Sequence, residues 1–218
     1  MSLHRDHISN RLDLPPDYEN LAIEQVKPRS DADLSPEWND LVPAVDKLKP
    51  AAVLIPLVER AAGLSVLLTE RATHLNKHAG EVSFPGGRIE DDDAHPIAAA
   101  LREAEEEVGL DPNWVEVAGI LQPFHTGTGF RILPIVGFVE PRFEVHELPV
   151  DKSEVAEAFE VPLSFLMNAD NHERHKIDYK GRTRHYYAMP YDGHYIWGAT
   201  AGMLVNLFDV LFPELETV

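Results

Sequence analysis

Apolar residues are spaced along this chain in two rhythms, and each predicts its own kind of element. Residues 51–60 (AAVLIPLVER) and 64–71 (LSVLLTER) are dense apolar runs containing β-branched residues, separated by a short Ala-Gly step. They predict a pair of strands. Residues 80–84 (GEVSF) predict a short strand running into Pro85-Gly86-Gly87, a turn where backbone can approach a ligand closely. The period then changes. Ile97, Ala100, Leu101, Ala104 and Val108 recur at helical spacing and predict a stripe facing a core. Asp92 or Asp93 is the expected N-cap, Pro96 lies in the first turn, and Gly109 is the expected C′ residue. Further strands are predicted at 115–121, 131–139 and 159–161, a hairpin around Asp192-Gly193, and a closing amphipathic helix over 199–212. Irregularly interleaved strands and helices predict an α+β fold or an α/β sandwich with a mixed sheet, not a regular βαβ array.

Residues 1–49 differ in texture from the rest. They are polar and rich in proline and charge (LDLPPDYEN, KPRSDADLSPEW), with at best a short helix near the start. They are expected to form an extension, packed on the core or partly ordered, ahead of a domain over 50–218. No internal repeat or low-complexity tract is present.

The polar face of the 96–108 helix raises a chemical question. Glu103, Glu106 and Glu107 share one face, at a helix end whose own partial charge is negative and favours Lys or Arg. Such a cluster is a solvated acidic face unless a cation sits there. The upstream Gly-Gly turn could add backbone carbonyls to the carboxylates, and hard oxygen donors of this sort suit Mg²⁺ or Mn²⁺. Glu105 falls elsewhere on the helix and reads as plain surface.

Composition narrows the partners. Nineteen Lys and Arg against 37 Asp and Glu give a formal charge of −18 in 218 residues, which argues against broad binding of nucleic acid or an anionic membrane. A divalent cation would still let such a protein hold a phosphorylated molecule. No apolar run approaches a membrane span, MSLHRDHISN lacks the apolar centre of a secretion signal, and cysteine is absent, so no disulfide framework or thiolate metal site exists. A cytoplasmic location is expected, and a homodimer is compatible with the sequence.

At these residues the chain resembles the Nudix hydrolases. The family's signature runs Gly, five residues, Glu, seven residues, Arg-Glu, apolar, any, Glu-Glu, any, Gly, apolar. REAEEEVGL (102–110) matches its second half completely through Arg102-Glu103, Ala104, Glu106-Glu107, Gly109 and Leu110. The first half departs: after five intervening residues Gly87 is followed by Asp93 instead of Glu, and eight residues separate it from Arg102. The extra residue is expected in the loop before the helix, and Asp93 receives no role. A further block, LLTERATHLNKHAGEVSFPGG (67–87), is similar to the added signature of the coenzyme A diphosphatase branch. Leu67, Leu68, Thr69, Arg71, Ala72, Gly80 and Phe84 to Gly87 fit that signature, and Asn76 stands where it has Arg. IWGATA (196–201) also resembles this branch.

The resemblance implies an α/β/α sandwich and hydrolysis of a diphosphate by water attack on phosphorus, with Mg²⁺ or Mn²⁺. It makes Glu103 and Glu107 metal ligands and Glu106 either a further ligand or the base that takes the water's proton. The backbone of Gly86 or Gly87 completes the shell, and Arg102 orients a box carboxylate. Arg71, Thr69, Asn76 and Gly86 are the expected substrate contacts, with Arg71 equally able to hold the upstream loop. His78 and His125, in expected loops, are not assigned as catalytic. Trp197 and the Tyr186/Tyr187 pair read as hairpin packing before adenine stacking. The implied substrate is coenzyme A or a derivative. Another nucleoside diphosphate derivative, such as ADP-ribose or a dinucleotide, is the nearest alternative, and a non-catalytic nucleotide-sensing module is the more distant one.

Overall fold

A computed structural model of the protein describes residues 3–14, 28–75, 78–179 and 181–215. The two dense apolar runs form β2 (Lys49–Arg60) and β3 (Gly63–Arg71), an antiparallel pair closed by Ala61-Ala62. Ahead of them lie α1 (Arg5–Ser9) and β1 (Arg29–Ser30). After them come β4 (Val82–Ser83), β5 (Gly86–Arg88), α2 (Pro96–Val108), β6 (Val115–Ile120), β7 (Phe124–His125), β8 (Phe130–Val139) and β9 (Val155–Pro162). The chain closes with α3 (Leu163–Leu166), β10 (Glu173–Tyr179), β11 (Arg182–Tyr191), β12 (His194–Trp197) and α4 (Gly198–Leu211).

Among the described residues the main sheet runs β1-β7-β8-β2-β3-β4, with β5 paired to β2, β6 to β8 and β9 to β3. It is mixed. β2 lies parallel to β8 and antiparallel to β3 and β5. A central strand with helices over both faces needs apolar residues at every position, which is why 51–58 reads as a continuous run. Val53, Ile55 and Leu57 enter one core together with α4, whereas Ala52, Leu54 and Val58 enter a second core together with α2. β8 alternates in the same way, with Val136 and Phe138 on the α4 side and Leu133, Ile135 and Val139 on the α2 side. The fold is therefore a mixed α+β sandwich, a sheet between two helical layers.

The hairpin at Asp192-Gly193 is present, with both residues at positive φ (45° and 86°), as a two-residue turn between β11 and β12 requires. β10, which the sequence pattern did not predict, pairs with β11 to make a second, three-stranded sheet. Its sequence ERHKIDY is exposed or half-exposed along the described side chains, so it lacks the alternation that marks a half-buried strand. The first residues also join the core: Ile8 is fully buried on the α4 side and Leu12 packs beside it. Trp38 is buried and donates its indole N–H to the Thr183 carbonyl at 2.8 Å, which ties residues 36–41 to β11. Among the described residues no helix is long and apolar enough to cross a membrane.

Ile8→Ala removes a fully buried side chain and should lower unfolding free energy by roughly 2–4 kcal/mol. Urea unfolding followed by circular dichroism checks this. A change below about 0.5 kcal/mol, the ordinary range for a surface substitution, would show that the first residues do not belong to the cooperative core.

Candidate active site

α2 carries the acidic face, and its placement follows from its ends and its apolar stripe. His95 caps the N-terminus, its Nδ1 accepting the Ala98 N–H at 3.1 Å, and Pro96 takes the first helical position. This corrects the expected cap at Asp92 or Asp93. Gly109 ends the helix in the left-handed conformation (φ 65°), and its N–H donates to the Glu105 carbonyl. Ile97, Ala100, Ala104 and Val108 are buried, Leu101 is half-buried against the same core, and Ala99 joins them. With that stripe pinned to the sheet, the opposite edge of the helix lies over β5.

There Glu103 and Glu107, one turn apart, meet the two glycines. The Gly86 N–H donates to Glu107 Oε2 at 3.1 Å. A Cβ on Gly87 would come within 2.6 Å of both Glu103 carboxylate oxygens, and one on Gly86 within 2.5 Å of the Ala52 carbonyl of β2. Only glycine lets the sheet, the turn and the carboxylates approach this closely. The glycines that the sequence marked for close approach thus approach protein carboxylates.

The electrostatics are unfavourable for anions. Glu107 is 5% exposed, and burial, opposed by the Gly86 N–H and reinforced by the charges of Glu103 and Glu154, pushes its pKa up to about 7. Burial also raises Glu103, against the pull of Arg102. Arg71 is the nearby counter-charge, 3.9 Å from Glu107 and 4.0 Å from Glu154.

Arg102 organises the rest. Its guanidinium forks onto both oxygens of Asp93 at 2.9 and 3.0 Å and donates to Glu103 and Glu106 at 3.0 Å each and to the Arg88 carbonyl at 3.2 Å. Planar bidentate pairing of this sort fixes orientation as well as charge. It holds the Asp93 carboxyl below its ordinary range. Asp93, left without a role by its offset from the family spacing, is therefore the anchor of Arg102. Glu154 also escaped the sequence pattern. It lies in the loop before β9, 47 positions after Glu107, and no local motif could have placed its charge beside the α2 carboxylates.

Other expectations change on the structure. Thr69 is 1% exposed and its hydroxyl donates to the Ser83 carbonyl at 3.2 Å. It ties β3 to β4 from a buried position. His125 lies in β7 and is buried, with burial and the neighbouring Arg131 lowering its pKa, so it is neither a loop nor a surface histidine. His78 sits at positive φ and pairs with Glu81 at 2.7 Å. Trp197 packs edge-on to Tyr186 at 5.4 Å, in keeping with hairpin packing. Glu105 is exposed. Asn76 and the adjacent Lys77 lie outside the described residues.

The donor chemistry fits a hard divalent cation. Two carboxylates, largely withdrawn from water, lie against a glycine turn and repel one another, which a 2+ charge would reverse. Glu106, 60% exposed at its side chain, is the nearest further oxygen donor on the same face and is engaged by Arg102. Among the described residues no three carboxylate or imidazole groups stand gathered around a common point. The arrangement therefore offers two donors in place and a third on a solvent-facing side chain.

The NUDIX domain family model matches residues 48–180 of this chain. The protein named uncharacterized Nudix hydrolase NudL of Citrobacter koseri is 43% identical over 159 residues, which span 73% of this chain and 81% of that protein. Its namesake in Escherichia coli K12 is 42% identical over 161 residues, spanning 73% and 81%. The MutT protein of Methanosarcina mazei Go1 superposes at a TM-score of 0.49 with 17% identity, covering 78% of this chain and 99% of that one.

Glu107 gives this site a pH signature. Its folded pKa of about 7 lies above the ordinary 4.5, so between these values the folded state holds a proton that the unfolded state has released. Metal-free protein should then lose stability as pH rises through that window, by roughly 3 kcal/mol at most. In Glu107→Gln, whose amide oxygen can still accept the Gly86 N–H, the fall should be smaller by about that amount. Parallel urea titrations at pH 5 and pH 8 measure the difference. Equal slopes in the two proteins would show that Glu107 is not strained by burial.

Proposed function

We propose a specific reaction for this chain, which belongs to the Nudix family of hydrolases acting on pyrophosphate bonds: cleavage of the diphosphate of coenzyme A or its derivatives. Water adds across one P–O–P bridge, giving adenosine 3′,5′-bisphosphate and 4′-phosphopantetheine, with Mg²⁺ or Mn²⁺ as the cofactor. The observation that carries this reading is the joint presence of two blocks, LLTERATHLNKHAGEVSFPGG and REAEEEVGL. The first ends in the glycine turn against which Glu103 and Glu107 of the second are pressed.

Metal dependence is general to the family. When bound, the ion supplies positive charge that offsets the diphosphate and acidifies an attacking water. The chain's own groups then divide the work. Glu103 and Glu107 hold the ion, and the backbone of Gly87 lies beside them. Glu106 faces solvent with one oxygen held by Arg102, and serves as a further ligand or takes the water's proton. Arg102 keeps Glu103 and Glu106 in orientation and is itself set by Asp93. Arg71, between Glu107 and Glu154, either meets a substrate phosphate or offsets those two carboxylates. Asn76 favours one second reading: the branch signature has Arg at that position, so a different nucleoside diphosphate derivative, such as ADP-ribose or a dinucleotide, is the competing substrate.

Hydrolysis in ¹⁸O-water with product analysis tests substrate, reaction and bond cleaved together. Coenzyme A should be strongly preferred over 3′-dephospho-coenzyme A, ADP-ribose and NADH; equal rates across the panel would remove the coenzyme A assignment. Glu103→Gln and Glu107→Gln should each lower turnover by roughly 10²-fold or more while leaving the circular dichroism spectrum intact. Near-normal rates in both would reject them as metal ligands. Asn76→Arg should raise turnover of coenzyme A. No change there would mean that the 3′-phosphate is read by other residues.

A further inference from the structure

Arg71 is held differently from Arg102. The Arg102 guanidinium is fixed by hydrogen bonds to Asp93, Glu103, Glu106 and the Arg88 carbonyl. That of Arg71 faces two carboxylates through separate nitrogens, Glu107 from Nη1 at 3.9 Å and Glu154 from Nη2 at 4.0 Å. Both gaps are too long for a hydrogen bond. The backbone cannot close them, because the Arg71 N–H donates to the Glu81 carbonyl at 3.0 Å and its carbonyl accepts the Gly80 N–H at 3.0 Å. The side chain can. A shift of about 1 Å either way would make a charge-assisted pair.

Glu154 is built into its position. The Asp151 carbonyl accepts the N–H groups of Glu154 at 3.0 Å and Val155 at 2.8 Å, and the Asp151 carboxylate accepts that of Ser153 at 2.8 Å. The resulting turn is tied on both sides. The Asp151 N–H donates to the Glu107 carbonyl at 2.9 Å, and the Glu154 carbonyl accepts the N–H of Ala72, the residue after Arg71, at 2.8 Å. One short turn is therefore registered on Glu107 and on Arg71 at once. Yet the Glu154 side chain is 52% exposed, and its charge adds to the repulsion on Glu103 and Glu107. Neither burial nor relief of the α2 carboxylates accounts for a carboxylate there. Its hold on the second nitrogen of Arg71 does.

We infer that Glu154 is a positioning residue: it holds the Arg71 guanidinium back from Glu107 and so keeps that carboxylate open to a divalent cation. The inference rests on the reading of Glu107 as a metal ligand, and not on which diphosphate is cleaved. With Glu154 neutral, only Glu107 draws Arg71. The guanidinium then closes on Glu107, and an ion must displace it to bind.

Calorimetric titration of the metal-free full chain with Mn²⁺ alone, at pH 8, tests this without turnover. Glu154→Gln should weaken Mn²⁺ binding roughly fivefold or more, the scale of one ion pair gained or lost, with thermal unfolding no lower than the wild type's. Glu154→Asp should keep part of the wild-type affinity. Arg71→Gln should bind Mn²⁺ at least as tightly as the wild type. Adding Glu154→Gln to it should change affinity by less than about twofold, because no guanidinium remains to be held. An equal loss from Glu154→Gln with and without Arg71 would mean that Glu154 acts on the ion directly, and would overturn the inference. So would unchanged binding in Glu154→Gln, which leaves the metal reading standing. Wild-type protein that does not take up Mn²⁺ removes both.

Discussion

Glu107 lies almost out of water, its carboxylate against the N–H of Gly86, while Glu103, one turn earlier, fills the space where a side chain on Gly87 would be. Burial raises the proton affinity of both, and the charge of Glu103 raises that of Glu107 further. Left alone, that is a cost in folding free energy, because desolvated like charges repel with little screening. A fold keeps such an arrangement where something else gains from it. A doubly positive ion is the simplest such gain, since it converts mutual repulsion into shared attraction.

The rest of the structure serves to hold that arrangement. β2 is buried on both faces, so the sheet beneath the glycine turn is fixed from above by α2 and from below by α4. The apolar stripe of α2 leaves its acidic edge one place to go, over β5. Arg102 then limits the rotation of Glu103 and Glu106, and Asp93 limits Arg102. Each step exchanges side-chain freedom for position.

Charge is distributed unevenly around the same sheet. The α2 side concentrates carboxylates, whereas at a cavity beside α4 opposite charges pair, Arg29 with Asp209 and Arg184 with Asp31. The segment before β2 contributes to this pattern by supplying Arg29, Asp31 and Asp33 to the cavity and Ile8 to the core.

Local sequence was enough for whatever depends on neighbours along the chain. The strand pair, the α2 stripe, the Gly109 helix end, the Asp192-Gly193 hairpin and the family to which the chain belongs all follow from residue types at fixed spacings, because their geometry is set within a few residues. Position in space was not available in that way. Thr69 matches a motif yet spends its hydroxyl on Ser83, His125 lies buried in a strand, His95 rather than an aspartate caps α2, and β10 forms from a polar stretch only because β11 pairs with it. Asp93 on Arg102 and Glu154 beside Glu107 join residues of two separate loops to α2. The sequence determined which groups could carry charge and bend; only tertiary packing decided which of them meet, because burial and approach between distant segments are properties of the assembled core.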